Sequence, residues 1–221
     1  MKRCIIFDFD STITSSDTLK IILYELLKLN PLRFFRILIP TLQMLTSKDH
    51  GFIQFKKNQI IGLLIERVSH ENINKAVNNY QNHISKILRH ELISHIKEKI
   101  DTGYICLIVT ASPAIFVSSF ARALKKDSIH IIGTDFQINN IGLYNGKLSG
   151  LNCYGQNKPI KINQWIKGLS TSIEFEESWS DSYSDKPMME MAKKKFWVVD
   201  KKNLKNFASI EDGYEAVYFN N

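Results

Sequence analysis

The sequence predicts an α/β fold, a three-layer core on a parallel sheet with an all-helical segment inserted close to its start. Two short runs, Cys4-Ile5-Ile6-Phe7 and Tyr104-Ile105-Cys106-Leu107-Ile108-Val109, are apolar without alternation and end in polar or acidic residues, as strands buried on both faces do. Helical spacing follows the second run. Between the two runs, residues 17 to about 98 carry several helical patterns and no convincing strand. The expected division is therefore a core of residues 1–15 and 99–221 and a helical insertion of residues 16–98.

The first run ends in Asp8-Phe9-Asp10-Ser11-Thr12. In an extended chain Asp8 and Asp10 project from one face, and two carboxylates held that close repel unless a cation lies between them or one is protonated. A metal site or an acid/base pair is expected; a strand followed by an Asx turn is the plainer alternative. Ser16-Asp17 can cap a helix with Leu19, Ile22, Leu23, Leu26 and Leu27 on its apolar face, and Asn30-Pro31 breaks it and starts another.

Residues 32–45 are unusually apolar, but two arginines and a proline interrupt them before the roughly 18 uncharged residues of a spanning helix. A buried cap helix is favoured over a segment lying in a membrane interface. His83, His90 and His95 lack a second ligand cluster and read as a solvated helix face.

At the end of the second run, Thr110-Ala111-Ser112-Pro113 points a hydroxyl and backbone amides toward a helix that Pro113 can begin, a geometry suited to phosphate. A plain strand-to-helix connection is the alternative. A strand over 129–132 and an antiparallel ribbon over 136–148 follow, the latter with turn signals at Asn139-Asn140 and Asn145-Gly146. Lys158 precedes a helix through Ile162 and Trp165. Ser180-Asp181-Ser182-Tyr183-Ser184-Asp185 then puts two more carboxylates at a strand end, hard to explain by packing.

Composition is that of an ordinary globular chain: 221 residues, 44% hydrophobic and 23% charged, which excludes disorder and collagen-like repeats. The net charge of +7 favours anionic partners, but no Lys/Arg block exceeds Lys193-Lys194-Lys195, so nucleic acid is not expected. Three widely spaced cysteines, Cys4, Cys106 and Cys153, suit reduced thiols of a cytoplasmic protein. Met1-Lys2-Arg3 runs into the aspartates too soon for a secretory signal.

In order, Asp8-Phe9-Asp10-Ser11-Thr12, Thr110, Lys158 and the 180–185 segment resemble the four motifs of the haloacid dehalogenase superfamily of phosphohydrolases. The helical insertion is similar to the cap of its phosphoserine phosphatase-like branch. Segment 26–40, with Ser180-Asp181-Ser182 and Lys186-Pro187, is also similar to the phosphatidylglycerophosphatases of the C type.

The resemblance implies a Rossmann-like core and an aspartyl-phosphate mechanism. Asp8 would be the nucleophile and Asp10 the acid/base, with Thr110, Ala111 and Lys158 binding phosphate. Mg²⁺ would be held by Asp8, Asp10 and Asp181 with Asp185 in support, and Asp17 would face the substrate from beside the cap. It implies a phosphatase, since the dehalogenases lack the second aspartate. The expected substrate is a small or lipid- or sugar-linked phosphomonoester. Phosphoserine is an alternative for which no basic partner is evident around Phe55-Lys56-Lys57-Asn58; phosphotransfer, or a non-catalytic scaffold, is another. Peripheral membrane contact would run through residues 32–45 at the inner face of the membrane.

Overall fold

The structure, a computed structural model, describes residues 1–124, 126–207 and 209–219. Its centre is strand β1, Lys2–Phe7, flanked by β2, Ile105–Pro113, and β6, Ile173–Ser180. With β3, Ile129–Thr134, β7, Lys194–Val199, and β8, Glu215–Tyr218, they form a six-stranded parallel sheet in the order β3-β2-β1-β6-β7-β8. Alternate residues enter two apolar clusters. Ile5, Phe7, Cys106 and Ile108 join Phe116 and Phe120, while Cys4, Ile6, Leu107 and Val109 join Ile162, Met188 and Trp197. Both faces are therefore covered, as the uninterrupted apolar runs require.

Register decides where the chemistry can sit. Phe7 lies opposite Ile108 on one side and Trp179 on the other, so Asp8, Thr110 and Asp181 all emerge within a residue or two at the same edge. That edge is the carboxyl end of a parallel sheet, where α/β proteins bind ligands.

The insertion supplies α1, Leu19–Leu29, α2, Phe34–Thr46, α3, His50–Ile65, and α4, His70–Ile84. Asp49 caps α3 by accepting from Gly51 and Phe52 N–H, and Ser69 caps α4 by accepting from Asn72 N–H. The next helix, α5, His90–Asp101, lies on β2 and buries Ile93, Ile96 and Ile100 in the cluster that holds Ile5 and Phe7. Helix packing on the sheet thus begins at residue 90, before the expected boundary at 99.

His95 is likewise not on a solvated face. Its ring is packed against Trp179 and Phe7 and bonded to Glu177. The two chain crossings between insertion and sheet run side by side, with Ser15 N–H donating to Ile87 O (2.7 Å) and Arg89 N–H to Ile13 O (2.8 Å).

Expectation fails most clearly at α2. Only Ile37 and Pro40 of this helix are buried, whereas Phe35 is 69%, Ile39 70% and Leu42 66% exposed. Helical spacing shows an apolar face but not whether anything covers it. Pro40 sits within the helix without ending it.

After β2 come α6, Ala114–Leu124, and then, past β3, a ribbon of β4, Phe136–Ile138, and β5, Tyr144–Leu148. Pro113 is the last residue of β2, not the first of α6. Asn145-Gly146 lies inside β5; the turn is at 139–143. Gly146 takes a φ of +78° and passes directly against Gly62 of α3, where either residue's side chain would meet the other's backbone.

The ribbon is also bonded to the α3–α4 connection: Arg67 N–H to Tyr144 O (2.7 Å), Tyr144 N–H to Val68 O (3.0 Å) and His70 N–H to Gly142 O (3.0 Å). Finally, α7, Asn157–Lys167, and the short α8, Lys186–Met189, cover the second face.

Candidate active site

A cavity of about 180 Å³ opens at the carboxyl edge of the sheet. Asp8 and Asp10 reach it from the turn after β1, Ala111 and Ser112 from the end of β2, Lys158 from the first turn of α7, and Asp181 and Asp185 from the loop after β6. Asp17, Gln54, Lys57 and Asn58 line it from the helical side. Thr110 does not line it. That residue is fully buried, its hydroxyl receiving Ser112 N–H (3.0 Å) and lying 3.4 Å from Asp10 Oδ2.

The turn after β1 is built from Phe9–Ile13, closed by Thr14 N–H donating to Phe9 O (3.1 Å). Ser11 adopts a φ of 59°, a region L residues seldom occupy and often do at functional turns. The turn lets Asp8 and Asp10 both face the cavity. Asp8 N–H donates to Trp179 O (2.9 Å), which carries the sheet pairing to Asp8 itself.

Lys158 is buried and its Nζ bridges Asp8 Oδ1 and Asp185 Oδ2, each at 2.7 Å. Ser180 Oγ also donates to Asp185 Oδ2 (2.7 Å). Burial alone would lower the Lys158 pKa, but Asp185 and Asp8 outweigh it and raise it, so this lysine stays charged. Burial pushes Asp8 well above the usual carboxylate range; Lys158 opposes this, and the charges of Asp185, Asp181 and Asp10 reinforce it.

Asp10 is held by donors on both oxygens. Thr18 gives its N–H (2.8 Å) and hydroxyl (2.6 Å) to Oδ1, and Ser112 gives its hydroxyl (2.6 Å) to Oδ2. Tyr80 OH donates in turn to Thr18 Oγ1 (3.1 Å), linking α4 to this carboxylate through one hydroxyl. Burial, then the charge of Asp17, raises the Asp10 pKa against these hydrogen bonds. The arrangement orients a carboxyl that can hold a proton.

Asp181 is fixed through Thr12. The Thr12 hydroxyl lies 3.2 Å from Asp181 Oδ1 and 3.5 Å from Asp8 Oδ2, and receives Asp181 N–H (3.0 Å). Burial first, and the neighbouring Asp185 second, push Asp181 up to about 7. Asp8, Asp10, Asp181 and Asp185 thus share one cavity with Lys158 and with a Lys57 already paired to Asp17.

This surplus of acid is what a divalent cation would neutralise. Among the described residues, no three His, Cys, Asp or Glu side chains converge tightly enough to enclose an ion by themselves. The donor set nevertheless fits Mg²⁺, which keeps several waters and takes only one or two carboxylates.

Three residues that hold or line the site escape the motif pattern. Ser112 and Thr18 fix Asp10, and Lys57 pairs with Asp17 Oδ2 (2.7 Å) at the cavity wall; Thr12, within the first motif, bridges Asp8 and Asp181. Lys57 has a signal that could have found it: Gln54, Lys57, Asn58 and Ile61, all lining the cavity, recur at helical spacing.

Similarity to known proteins agrees with this architecture. Residues 5–190 match the model of the haloacid dehalogenase-like hydrolase family. Protein CicA of Caulobacter vibrioides is 32% identical over 89 residues, a match that spans 40% of this chain and 38% of that protein.

Two solved structures share the fold across nearly all of both chains. A protein of unknown function from Bordetella pertussis Tohama I is 18% identical, with a TM-score of 0.76 and 98% of each chain covered. A phosphoserine phosphohydrolase-like protein from Francisella tularensis is 21% identical, with a TM-score of 0.60 and 98% of this chain and 95% of that one covered. The chain belongs to the haloacid dehalogenase-like hydrolases.

Proposed function

We propose that the chain is a Mg²⁺-dependent phosphomonoesterase working through an aspartyl-phosphate on Asp8. The observation that carries this reading is the contrast between the two aspartates of the first motif. Asp8 has one oxygen committed to Lys158 (2.7 Å) and the other met, among the described residues, only by the Thr12 hydroxyl at 3.5 Å, which leaves it open to attack phosphorus, while Asp10 is clamped by three hydrogen bonds under 3 Å.

The Asp8 carboxylate attacks phosphorus; a P–O bond forms as the ester P–O bond breaks, and the leaving alkoxide takes the proton from Asp10. Asp10 then accepts a proton from the water that attacks the aspartyl-phosphate, releasing phosphate and restoring both carboxyl groups. Thr18, Ser112 and Tyr80 hold Asp10 in the orientation for both transfers. Lys158 keeps a fixed positive charge beside the oxygens where negative charge spreads in the transition state.

Mg²⁺ bound near Asp8, the Asp10 backbone carbonyl and Asp181 would offset repulsion between phosphate and carboxylates. Asp185 would hold Lys158 and support the set. Ala111 and Ser112 are placed to meet phosphate oxygens; Thr110 acts behind them by bracing Ser112 and Asp10.

The cavity of about 180 Å³ lies below the roughly 300–1,000 Å³ of pockets that hold drug-sized ligands. This favours a small ester, or the head group of a larger lipid- or sugar-linked one. The Lys57–Asp17 pair supports a second reading, phosphoserine, because it puts one charge of each sign at the cavity wall for a zwitterionic alcohol. Release of phosphate from an aryl phosphate, with and without Mg²⁺, tests the chemistry. Asp8→Asn is expected to lower kcat by about 10⁴-fold or more at unchanged fold, and activity surviving that change would overturn the assignment. Phosphoserine, phosphatidylglycerol phosphate and sugar phosphates, compared by kcat/KM, separate the substrate readings.

A further inference from the structure

Helix α2 is apolar on opposite faces. Ile37 and Pro40 are buried and Met44 packs against the core cluster, while Phe34, Phe35, Leu38, Ile39, Leu42 and Leu45 all stand exposed. Leu32 before it, and Phe52 and Phe55 of the adjoining α3, extend this surface. A contiguous apolar stripe of this kind on a helix is seldom left to water, and a helix apolar all round belongs against a second apolar medium.

Charge indicates which medium. Residues 31–57 contain five basic residues, Arg33, Arg36, Lys48, Lys56 and Lys57, and one acid, Asp49; Arg36 is paired with Glu66, Lys57 with Asp17, and Lys56 is buried, which leaves Lys48 as the cation exposed beside the stripe. Lys48 is exposed at the tip between α2 and α3, and the Lys56 ammonium lies 5.1 Å from the Phe52 ring centre and 5.4 Å from that of Phe55. The whole chain carries +7. No helix among the described residues is long and apolar enough to cross a bilayer, so the stripe would lie in the plane of a surface.

We propose that the α2–α3 hairpin seats on an anionic lipid bilayer. Phe35, Leu38, Ile39, Leu42 and Leu45 enter the boundary between head groups and acyl chains, and Lys48 meets the head groups. Arg36, bonded to Glu66 Oε2 (2.6 Å), and Arg33, bonded to Leu64 O, pin α2 to the far end of α3 so that the stripe is presented on a fixed support. The same α3 lends Gln54, Lys57, Asn58 and Ile61 to the catalytic cavity, so the surface that holds the hairpin also holds one wall of the site.

Flotation of the full chain with phosphatidylcholine vesicles, with and without phosphatidylglycerol, tests this. The wild type is expected to float with the anionic vesicles and far less with the neutral ones. Leu38→Asp/Leu42→Asp is expected to weaken binding by about a hundredfold, the loss of two inserted leucines. Both positions are exposed and outside the cavity, so hydrolysis of a soluble aryl phosphate stays at the wild-type rate and reports that the variant is folded. Absent flotation of the wild type, flotation indifferent to head-group charge, or flotation that survives the double substitution overturns the proposal. A wild-type dimer in sedimentation that the double variant dissociates, with no vesicle binding, assigns the stripe to a second copy instead. A wild type inactive on the aryl phosphate would sink the hydrolase reading and leave the flotation result standing.

Discussion

Strand β6 carries two buried charged clusters that behave in opposite ways. At its end, Asp181 and Asp185 join Asp8 and Asp10, and acid exceeds base: Lys158 is the cation buried among them, and burial and mutual repulsion raise Asp8 and Asp181. Three residues back, Glu177 is a single carboxylate with three donors. His95 Nε2 lies 2.7 Å from Oε2, Trp179 Nε1 donates to the same oxygen (3.1 Å), and Lys99 Nζ donates to Oε1. Burial works to raise Glu177, but hydrogen bonds from His95, Lys99 and Trp179 prevail and hold it down at about 2. The satisfied cluster ties α5 to the sheet; the unsatisfied one keeps electrostatic energy that a bound cation can relieve.

Breaking the first cluster should cost most. Lys158→Met removes the partner of two buried carboxylates, and without added metal it is expected to lower stability by about 3–5 kcal/mol in urea titrations. A loss no larger than that of an ordinary surface lysine would mean that the acidic charges are not confined as described.

Adding Mg²⁺ to the wild type should act in the other direction. Asp181 near 7, against an ordinary 3.8, means that the folded chain binds its proton more readily than the unfolded one between those values, so the repulsion grows as pH rises through that window. A bound cation removes it, giving about 2.7 kcal/mol at a hundredfold excess over Kd. The increase in Tm is expected to be large at about pH 8 and small at about pH 5, where Asp181 is protonated. An increase independent of pH would dissociate the metal from these groups.

The mildest test lies in the second cluster. Glu177→Gln is expected to cost about 1–3 kcal/mol while leaving turnover unchanged. Because Glu177 sits near 2 against an ordinary 4.5, its contribution is fully present above about 4.5 and is lost as pH falls toward 2. The variant and the wild type should therefore converge in acid. A drop in kcat comparable with that of Asp8→Asn would erase the distinction between the clusters.

Where one-dimensional pattern and three-dimensional constraint coincide, the sequence was legible. The Cys4–Phe7 run had to be a strand buried on both faces, and Asp8 and Asp10 had to emerge where it stopped. The acidic residues of 180–185 followed the same logic at β6. Spacing fails where a position's meaning depends on what lies across a gap. The apolar residues of α2 suit burial and exposure equally, and nothing in their order separates the two. His95 belongs to a helix face that only the fold sets against Glu177 and Trp179. Thr110 and Ser112 share a polar strand end and both approach Asp10 Oδ2, but β2, with an irregular register between Val109 and Pro113, buries Thr110 and leaves Ser112 lining the cavity. Gly62 and Gly146 carry no legible signal as a pair, since their contact joins residues far apart in the chain.

That glycine contact, with the three main-chain bonds from the ribbon to residues 67–70, fastens the helical lobe at a second place besides its two chain crossings. A lobe fastened at two separate places cannot swing like a door. Any gap wide enough to admit a guest must either drag the ribbon along or give up those bonds. Exchange of guests is thereby coupled to a β-structure that never touches the reacting atoms.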